Sequence, residues 1–194
     1  MIIDPAVRRL HQLAWQPGAW MHDAWWRHLD LEPWRTSYLS CPACRPSIDR
    51  LIVARRGFPL QPLPGSLDGD GRRLIEGEPR WPALIIALGV IALACVDHLL
   101  LRPHRQALAA HLDSRSCDQL LAICGSWNVQ AVRLAPEALG NAALSAGTRW
   151  LRRDTHRSVA AAFLSTLLAP CDGAASDPPE SCAIEWIITL SRFL

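Results

Sequence analysis

The stretch WPALIIALGVIALACVDHLLL, residues 81–101, is apolar or glycine at every position from Pro82 to Val96. On a helix, these side chains occupy every face rather than one stripe. A helix that is apolar all round is buried, either in a protein core or in a bilayer. The uncharged run is shorter than the roughly 20 residues that span a bilayer, and Asp97 would be costly there. The stretch therefore predicts a central core helix, and a membrane span is the less favoured alternative.

Small residues indicate close helix packing at two places. Gly89 lies in the middle of the predicted core helix, where glycine costs about 1 kcal/mol relative to alanine. A second helix that crosses closely at this point would explain why glycine is present. A further predicted helix opens at Pro136, and Gly140, Ala143 and Gly147 form a strip on it on which another helix could pack closely.

The rest of the chain reads as helices joined by short turns that contain proline. Alternating polar and apolar runs are absent, as are Asn-Gly hairpin turns. We predict an all-α protein, a compact irregular bundle of about eight helices around the central apolar helix. Residues 1–194 form a single domain in this prediction, with a Trp-rich N-terminal helical segment (1–56), a Pro/Gly loop (57–71) and a main helical body (72–194). Residues 1–56 are too few to hold a good core alone.

Charge and cysteine content narrow the functional classes. The formal net charge is +2, and all 20 basic residues are arginines scattered along the chain. A regulatory domain that binds nucleic acid would need a concentrated basic face, so this class fits poorly. The seven cysteines are irregularly spaced, and the first ten residues lack the apolar core of a signal peptide. This pattern predicts a cytoplasmic protein whose thiols are mostly free.

Cys41-Pro-Ala-Cys44 is a CxxC motif that stands alone. A structural zinc site usually needs a second pair of ligands, and neither Cys117 with Cys124 nor His22 with His28 has the usual spacing. A redox CxxC usually opens a helix after a strand, and no strand is predicted here. The pattern favours incidental thiols over a metal or redox site.

The order of His11, His22, Asp23 and Asp97 superficially resembles that of the metal-dependent HD phosphohydrolases, which are also all-α. His11 lies too close to His22 for the helix layout of that family. A metal-dependent HD-type hydrolase is therefore kept only as the alternative function. Phosphate-binding loops, nucleophile elbows and dinucleotide motifs are absent from the sequence. We predict no enzymatic activity, no cofactor and no metal.

Tryptophans crowd the N-terminal segment at positions 15, 20, 25, 26 and 34. They cannot all face one core, and core packing is the favoured interpretation for most of them. Trp25 and Trp26 would point about 100° apart on a helix, which places one of them near the surface. Exposed aromatics beside arginines are typical of protein interfaces. The candidate partner-binding residues are Trp20, Trp25, Trp26, Arg72 and Arg73.

Several short motifs follow one another in a characteristic order. They are WQPGAWMH (15–22), LQPLPG (60–65), ALG (87–89), LRPHRQAL (101–108), GSW (125–127), LAPE (134–137) and GTRWL (147–151). Over roughly residues 13–170 the chain resembles the SctK family of bacterial type III secretion systems, whose members include YscK and PscK. The tryptophan density from Trp25 to Trp34 and the Cys41–Cys44 pair depart from that family.

This resemblance implies a non-enzymatic adaptor of the sorting platform of the injectisome, needed for effector secretion and hence for virulence. Such an adaptor lies at the cytoplasmic face of the inner membrane. It links the cytoplasmic domain of the ring protein SctD to the pod protein SctQ, and through SctQ it connects to SctL and the SctN ATPase. The expected mechanism is binding alone.

Overall fold

The computed structural model describes residues 3–59, 62–124, 133–170 and 179–194, and within these ranges it contains helices and no strand. The all-α prediction is confirmed. In chain order the α-helices are α1 (Pro5–Trp15), α2 (Ala24–His28), α3 (Glu32–Ser40), α4 (Arg45–Arg56), α5 (Gly69–Glu76), α6 (Trp81–Ala92), α7 (Arg102–Leu108), α8 (Ser114–Cys124), α9 (Pro136–Asp154), α10 (Val159–Leu164) and α11 (Ala183–Leu190).

The chain divides into two compact units. Unit 1 comprises Met1–Glu76 and Ser158–Asp172, and unit 2 comprises Gly77–Arg157 and Gly173–Leu194. Helices α1 to α5 and α10 belong to unit 1, while α6 to α9 and α11 belong to unit 2. Helix α5 begins at Gly69, so the end of the segment 57–71 that we expected to be a loop is helical.

Unit 1 is organised around α1, which packs on α4, α5 and α10. Asp4 caps α1, because its Oδ1 atom accepts a hydrogen bond of 2.9 Å from the Ala6 backbone N–H, and Pro5 occupies the first helical position. Aspartate followed by proline is a sequence pattern that predicts a helix start of this kind, and the structure confirms it here. A second apolar cluster in this unit contains Met21, Trp26, Leu29, Leu31, Tyr38, Ile48 and Ile52.

Unit 2 contains the predicted core helix as α6. Every residue from Leu84 to Val90 is buried, and so is Trp81 at its start. The prediction of an all-round buried helix is therefore confirmed. None of the helices in the described ranges combines the length and the apolarity required to cross a bilayer.

Helix α6 crosses α9 at a point where neither helix has room for a side chain. A Cβ atom at Gly89 would lie 1.7 Å from the backbone oxygen of Ala143, and one at Gly147 would lie 2.1 Å from the backbone oxygen of Ile85. The close crossing that we inferred from Gly89 is confirmed, and Ala143 and Gly147 form the small-residue strip that receives it. Gly140 is not part of this contact, because its nearest neighbour would be Leu108 Cδ2 at 3.9 Å.

The apolar run continues beyond the helix that it forms. Helix α6 ends at Ala92, and residues Val96–Leu100 form a separate 3-10 helix. Ala94 has a φ of 51°, and backbone hydrogen bonds run from Ala94 N to Ile91 O (2.9 Å) and from Cys95 N to Val90 O (3.1 Å). This pair of bonds is a Schellman cap, which normally has glycine at the left-handed position. The run therefore turns after Ala92 without any helix-breaking residue to signal it.

Replacing Ala94 by glycine is expected to stabilise the protein. The left-handed conformation costs an L-residue roughly 1–2 kcal/mol, part of which glycine loses again through its greater freedom in the unfolded chain. We expect Ala94→Gly to raise the free energy of unfolding in urea by about 0.5–1 kcal/mol. Ala92→Gly, two residues earlier and still helical, is the matched control and should lower it by about 1 kcal/mol. A destabilised Ala94→Gly variant would contradict the cap.

Candidate protein-interaction surface

Trp20 forms a cation–π pair with Arg9 in unit 1. Arg9 lies on α1, and the 3-10 turn Pro17–Ala19 reverses the chain so that Trp20 returns to it. The Arg9 Cζ atom lies 3.8 Å from the centroid of the Trp20 ring, and Arg9 Nη1 donates to Gln12 Oε1 at 3.3 Å. The Trp20 residue is nevertheless 41% exposed. The indole is held in place by its partner while much of its surface stays open to solvent.

The exposed side of α1 presents two further residues near the pair formed by Arg9 and Trp20. Arg8 and Trp15 are both exposed and lie seven residues apart, which places them on one side of the helix. We call Arg8, Arg9, Gln12, Trp15 and Trp20 the Arg9–Trp20 surface. Helix α1 carries no acidic side chain, and the side chains that define this surface are aromatic, basic or neutral. Its chemistry suits a partner that presents carboxylates beside an apolar patch.

The turn that carries Trp20 is anchored by a buried polar network. The Asp49 carboxylate accepts hydrogen bonds from the Gly18 backbone N–H (2.9 Å) and from the Tyr38 hydroxyl (3.3 Å). A Cβ atom at Gly18 would lie only 2.6 Å from the Tyr38 ring. Burial raises the pKa of the Asp49 carboxyl and of the Tyr38 hydroxyl above their ordinary values. The network therefore joins the turn to α3 and α4.

The two adjacent tryptophans are largely used for packing. Trp26 is 2% exposed, and its ring centroid lies 5.4 Å from that of Tyr38. Its inclusion among the partner-binding residues is wrong, because the ring lies in the core and is not on the surface. Trp25 is partly buried, and its Nε1–H donates to the Leu168 backbone oxygen at 2.9 Å. This contact joins α2 to the segment after α10 within unit 1.

Arg72 and Arg73, the two arginines predicted to bind a partner, each form an ion pair within the protein. Arg72 pairs with Asp4, the residue that caps α1, and so connects α5 with the start of α1. Arg73 pairs with Asp70 one helical turn away at 3.3 Å, and both side chains are at least half exposed. Surface pairs of this kind contribute little stability, typically about 0–1 kcal/mol. Arg73 is thus accessible to a partner, while Arg72 has a structural contact of its own.

The sequence matches a known protein family over most of its length. A family model described as a type III secretion system subunit matches residues 8–170. The chain belongs to this family. The matched range contains the Arg9–Trp20 surface and continues past α10, and it agrees with the extent of the resemblance noted from the motifs. No curated protein and no solved structure matches the chain significantly.

Two of the four residues of the hydrolase alternative, His22 and Asp23, have other contacts in this secretion-system subunit. His22 Nδ1 accepts a hydrogen bond from the Ala24 backbone N–H at 3.1 Å, and Asp23 pairs with Arg35 at 2.8 Å. His11 also lies in unit 1, whereas Asp97 lies in unit 2. Within the described ranges, no group of three or more histidine, cysteine or acidic side chains is arranged to hold a metal ion.

Two features of the subunit were not predicted from the sequence. One is the pairing of Arg9 with Trp20, which lies eleven residues further on and beyond the end of α1, so helical periodicity does not relate the two side chains. The other is the contact between Cys41 and Cys44, whose Sγ atoms lie 3.2 Å apart. All cysteines in the described part of the chain are free thiols.

Proposed function

We propose that this type III secretion subunit is the SctK component of the sorting platform, a non-enzymatic adaptor at the cytoplasmic face of the inner membrane. It joins the cytoplasmic domain of SctD to SctQ, and through SctQ it supports SctL, the SctN ATPase and effector secretion. The observation that carries the proposal is the family match over residues 8–170, combined with the SctK-like order of motifs across the same range.

The Arg9–Trp20 surface supplies the physical means of binding. Tryptophan and arginine are the residues most enriched among those that dominate binding energy at protein interfaces. Because Arg9 already orders the Trp20 ring, a partner would lose little side-chain entropy when it packs on that ring. The adaptor then works by holding two proteins at a set separation, and no covalent step is involved.

The adaptor role is tested by measuring whether the protein binds SctQ and the SctD cytoplasmic domain at the same time. SctQ from the same organism is immobilised, and the SctD cytoplasmic domain is added with and without the purified protein. We expect SctD to be retained only when the protein is present. Retention of neither partner by the protein would contradict the proposal. Elemental analysis of the same preparation tests the hydrolase alternative, which stoichiometric bound metal would favour.

Trp20→Ala tests which surface binds. Truncation of a central tryptophan commonly costs about 2 kcal/mol of binding free energy, so we expect roughly thirtyfold weaker capture of one of the two partners. Trp34→Ala is the matched control, because Trp34 is 51% exposed on α3 and outside this surface. Equal affinities for wild type, Trp20→Ala and Trp34→Ala, measured by biolayer interferometry, would exclude the Arg9–Trp20 surface from the interface.

A further inference from the structure

The corner between α3 and α4 contains two cysteines in direct contact. Cys41 follows the last residue of α3, where its N–H donates to Ser37 O at 2.9 Å, and residues Pro42–Cys44 form a 3-10 turn that leads directly into α4. The Cys44 thiol lies within hydrogen-bond distance of the Cys41 sulfur, at 3.2 Å. Both residues are partly exposed, so a small reactant can reach them.

The contact makes the two thiols chemically different. Cys44 S–H donates to the Cys41 sulfur, and this bond, helped by the backbone N–H groups of Cys44 and Ala43 and by the charge of Arg45, lowers the pKa of Cys41. The same bond raises the pKa of Cys44. Cys41 is thus the better nucleophile, and Cys44 is held in position to attack it in turn. By contrast, burial raises the pKa of Cys95 to about 11 and also raises that of Cys117.

We propose that Cys41 and Cys44 form a reversible dithiol–disulfide site that reacts with small disulfides of the glutathione type. This site is independent of the adaptor function proposed above. Its basis is the sulfur-to-sulfur contact, the partial exposure of both thiols and their place at the start of a continuous helical stretch.

The reaction takes place in two exchanges. The deprotonated Cys41 sulfur attacks one sulfur of glutathione disulfide, a Cys41–glutathione bond forms, and the first glutathione leaves as a thiolate that takes up a proton. Cys44 then loses its proton to solvent and attacks the Cys41 sulfur. The Cys41–Cys44 disulfide forms as the Cys41–glutathione bond breaks, and the second glutathione leaves as a thiolate that is protonated in turn. The two cysteine thiols lose two electrons in total, and one glutathione disulfide gains them to become two glutathione thiols.

The oxidation state of Cys41 and Cys44 can be determined separately from that of the other cysteines. Trypsin cleaves after Arg35 and Arg50 but not after Arg45, which precedes Pro46, so residues 36–50 form one peptide that contains both cysteines of the motif and no other. The folded, full-length protein is incubated with glutathione disulfide, and the remaining thiols are alkylated. The protein is then digested with trypsin, and the mass of peptide 36–50 is measured by mass spectrometry. We expect a peptide that has lost two hydrogen atoms and gained no alkyl group.

Two serine variants distinguish Cys41, which attacks glutathione disulfide, from Cys44, which attacks Cys41. Cys44→Ser should stop at a glutathione adduct on Cys41, because the attacking thiol is gone while the serine hydroxyl can still donate to Cys41. Cys41→Ser should form its adduct about tenfold more slowly. Circular dichroism is used to check that both variants are folded. The proposal is overturned if peptide 36–50 of wild type keeps two free thiols, or if Cys41→Ser forms its adduct as fast as Cys44→Ser.

Discussion

Replacing Gly89 by alanine is expected to lower the free energy of unfolding by about 4 kcal/mol, a large part of the total stability of an ordinary domain. The added Cβ would lie 1.7 Å from the Ala143 backbone oxygen, and its next neighbours are the Ala143 carbonyl carbon and Cα. Backbone atoms cannot rotate away as a side chain can, so α6 and α9 must separate along their contact. The gain in helix propensity, about 1 kcal/mol, does not offset this cost. Urea unfolding followed by far-ultraviolet circular dichroism measures the loss.

Two further variants identify the crossing as the cause. Gly140→Ala adds the same methyl group on α9, where its nearest neighbour would be 3.9 Å away, and should stabilise the protein by about 0.5–1 kcal/mol. Gly147→Ala should destabilise much as Gly89→Ala does. Because one separation of the helices accommodates both methyl groups, the double variant should cost less than the sum of the two. A Gly89→Ala variant as stable as wild type would contradict the close crossing.

Asp154→Ala is expected to cost about 3 kcal/mol. Asp154 is the last residue of α9 and is buried, and its Oδ2 accepts a hydrogen bond of 2.7 Å from Ala183 N, the first N–H of α11. The side chain of Cys182, the preceding residue, makes no capping bond in the described structure, so Asp154 caps α11 from a distant part of the chain. Its removal leaves that buried N–H without its acceptor and takes away one of the groups to which Arg153 donates.

The matched control for this site is Asp154→Asn, which keeps an acceptor for Ala183 N but loses the charge, and should cost about 1 kcal/mol. A cost for Asp154→Ala no greater than that of the control would contradict the capping role. Both costs are measured by urea unfolding at neutral pH.

Lowering the pH should reduce the stability that the ionised Asp154 carboxylate contributes relative to asparagine. Burial acts to raise the pKa of Asp154, but the hydrogen bonds from Arg153 and from Ala183 N outweigh it, and the net pKa is lowered. A carboxyl whose folded pKa is depressed contributes stability that is fully present above its unfolded pKa, about 3.9, and is lost as pH falls through the folded pKa. The difference in stability between wild type and Asp154→Asn should therefore shrink between about pH 5 and pH 2. A difference that stays constant over this range would contradict the assignment.

Local patterns predicted the features that depend on neighbours in the chain. The all-round apolar character of residues 84–90 identified α6 as buried, because a helix with no polar face cannot be placed against water. Asp4 before Pro5 marked the start of α1, because a cap acts on N–H groups one turn away. Gly89 and Gly147 indicated a close approach, because glycine inside a helix is unfavourable unless the missing Cβ makes room for something.

Features that depend on distant parts of the chain were decided by the fold. The end of α6 at Ala92 lies within an apolar run that could have continued, and the left-handed turn at Ala94 ends it. Trp26 and Trp20 are equally aromatic, yet one is buried and the other lies on the Arg9–Trp20 surface. The sequence around the CxxC motif favours incidental thiols because no strand precedes it, whereas the α3–α4 corner brings the two sulfurs into contact. Periodicity reports which face of a helix is apolar, but a side chain's exposure and charge partners depend on what packs against it, and only the folded chain contains that information.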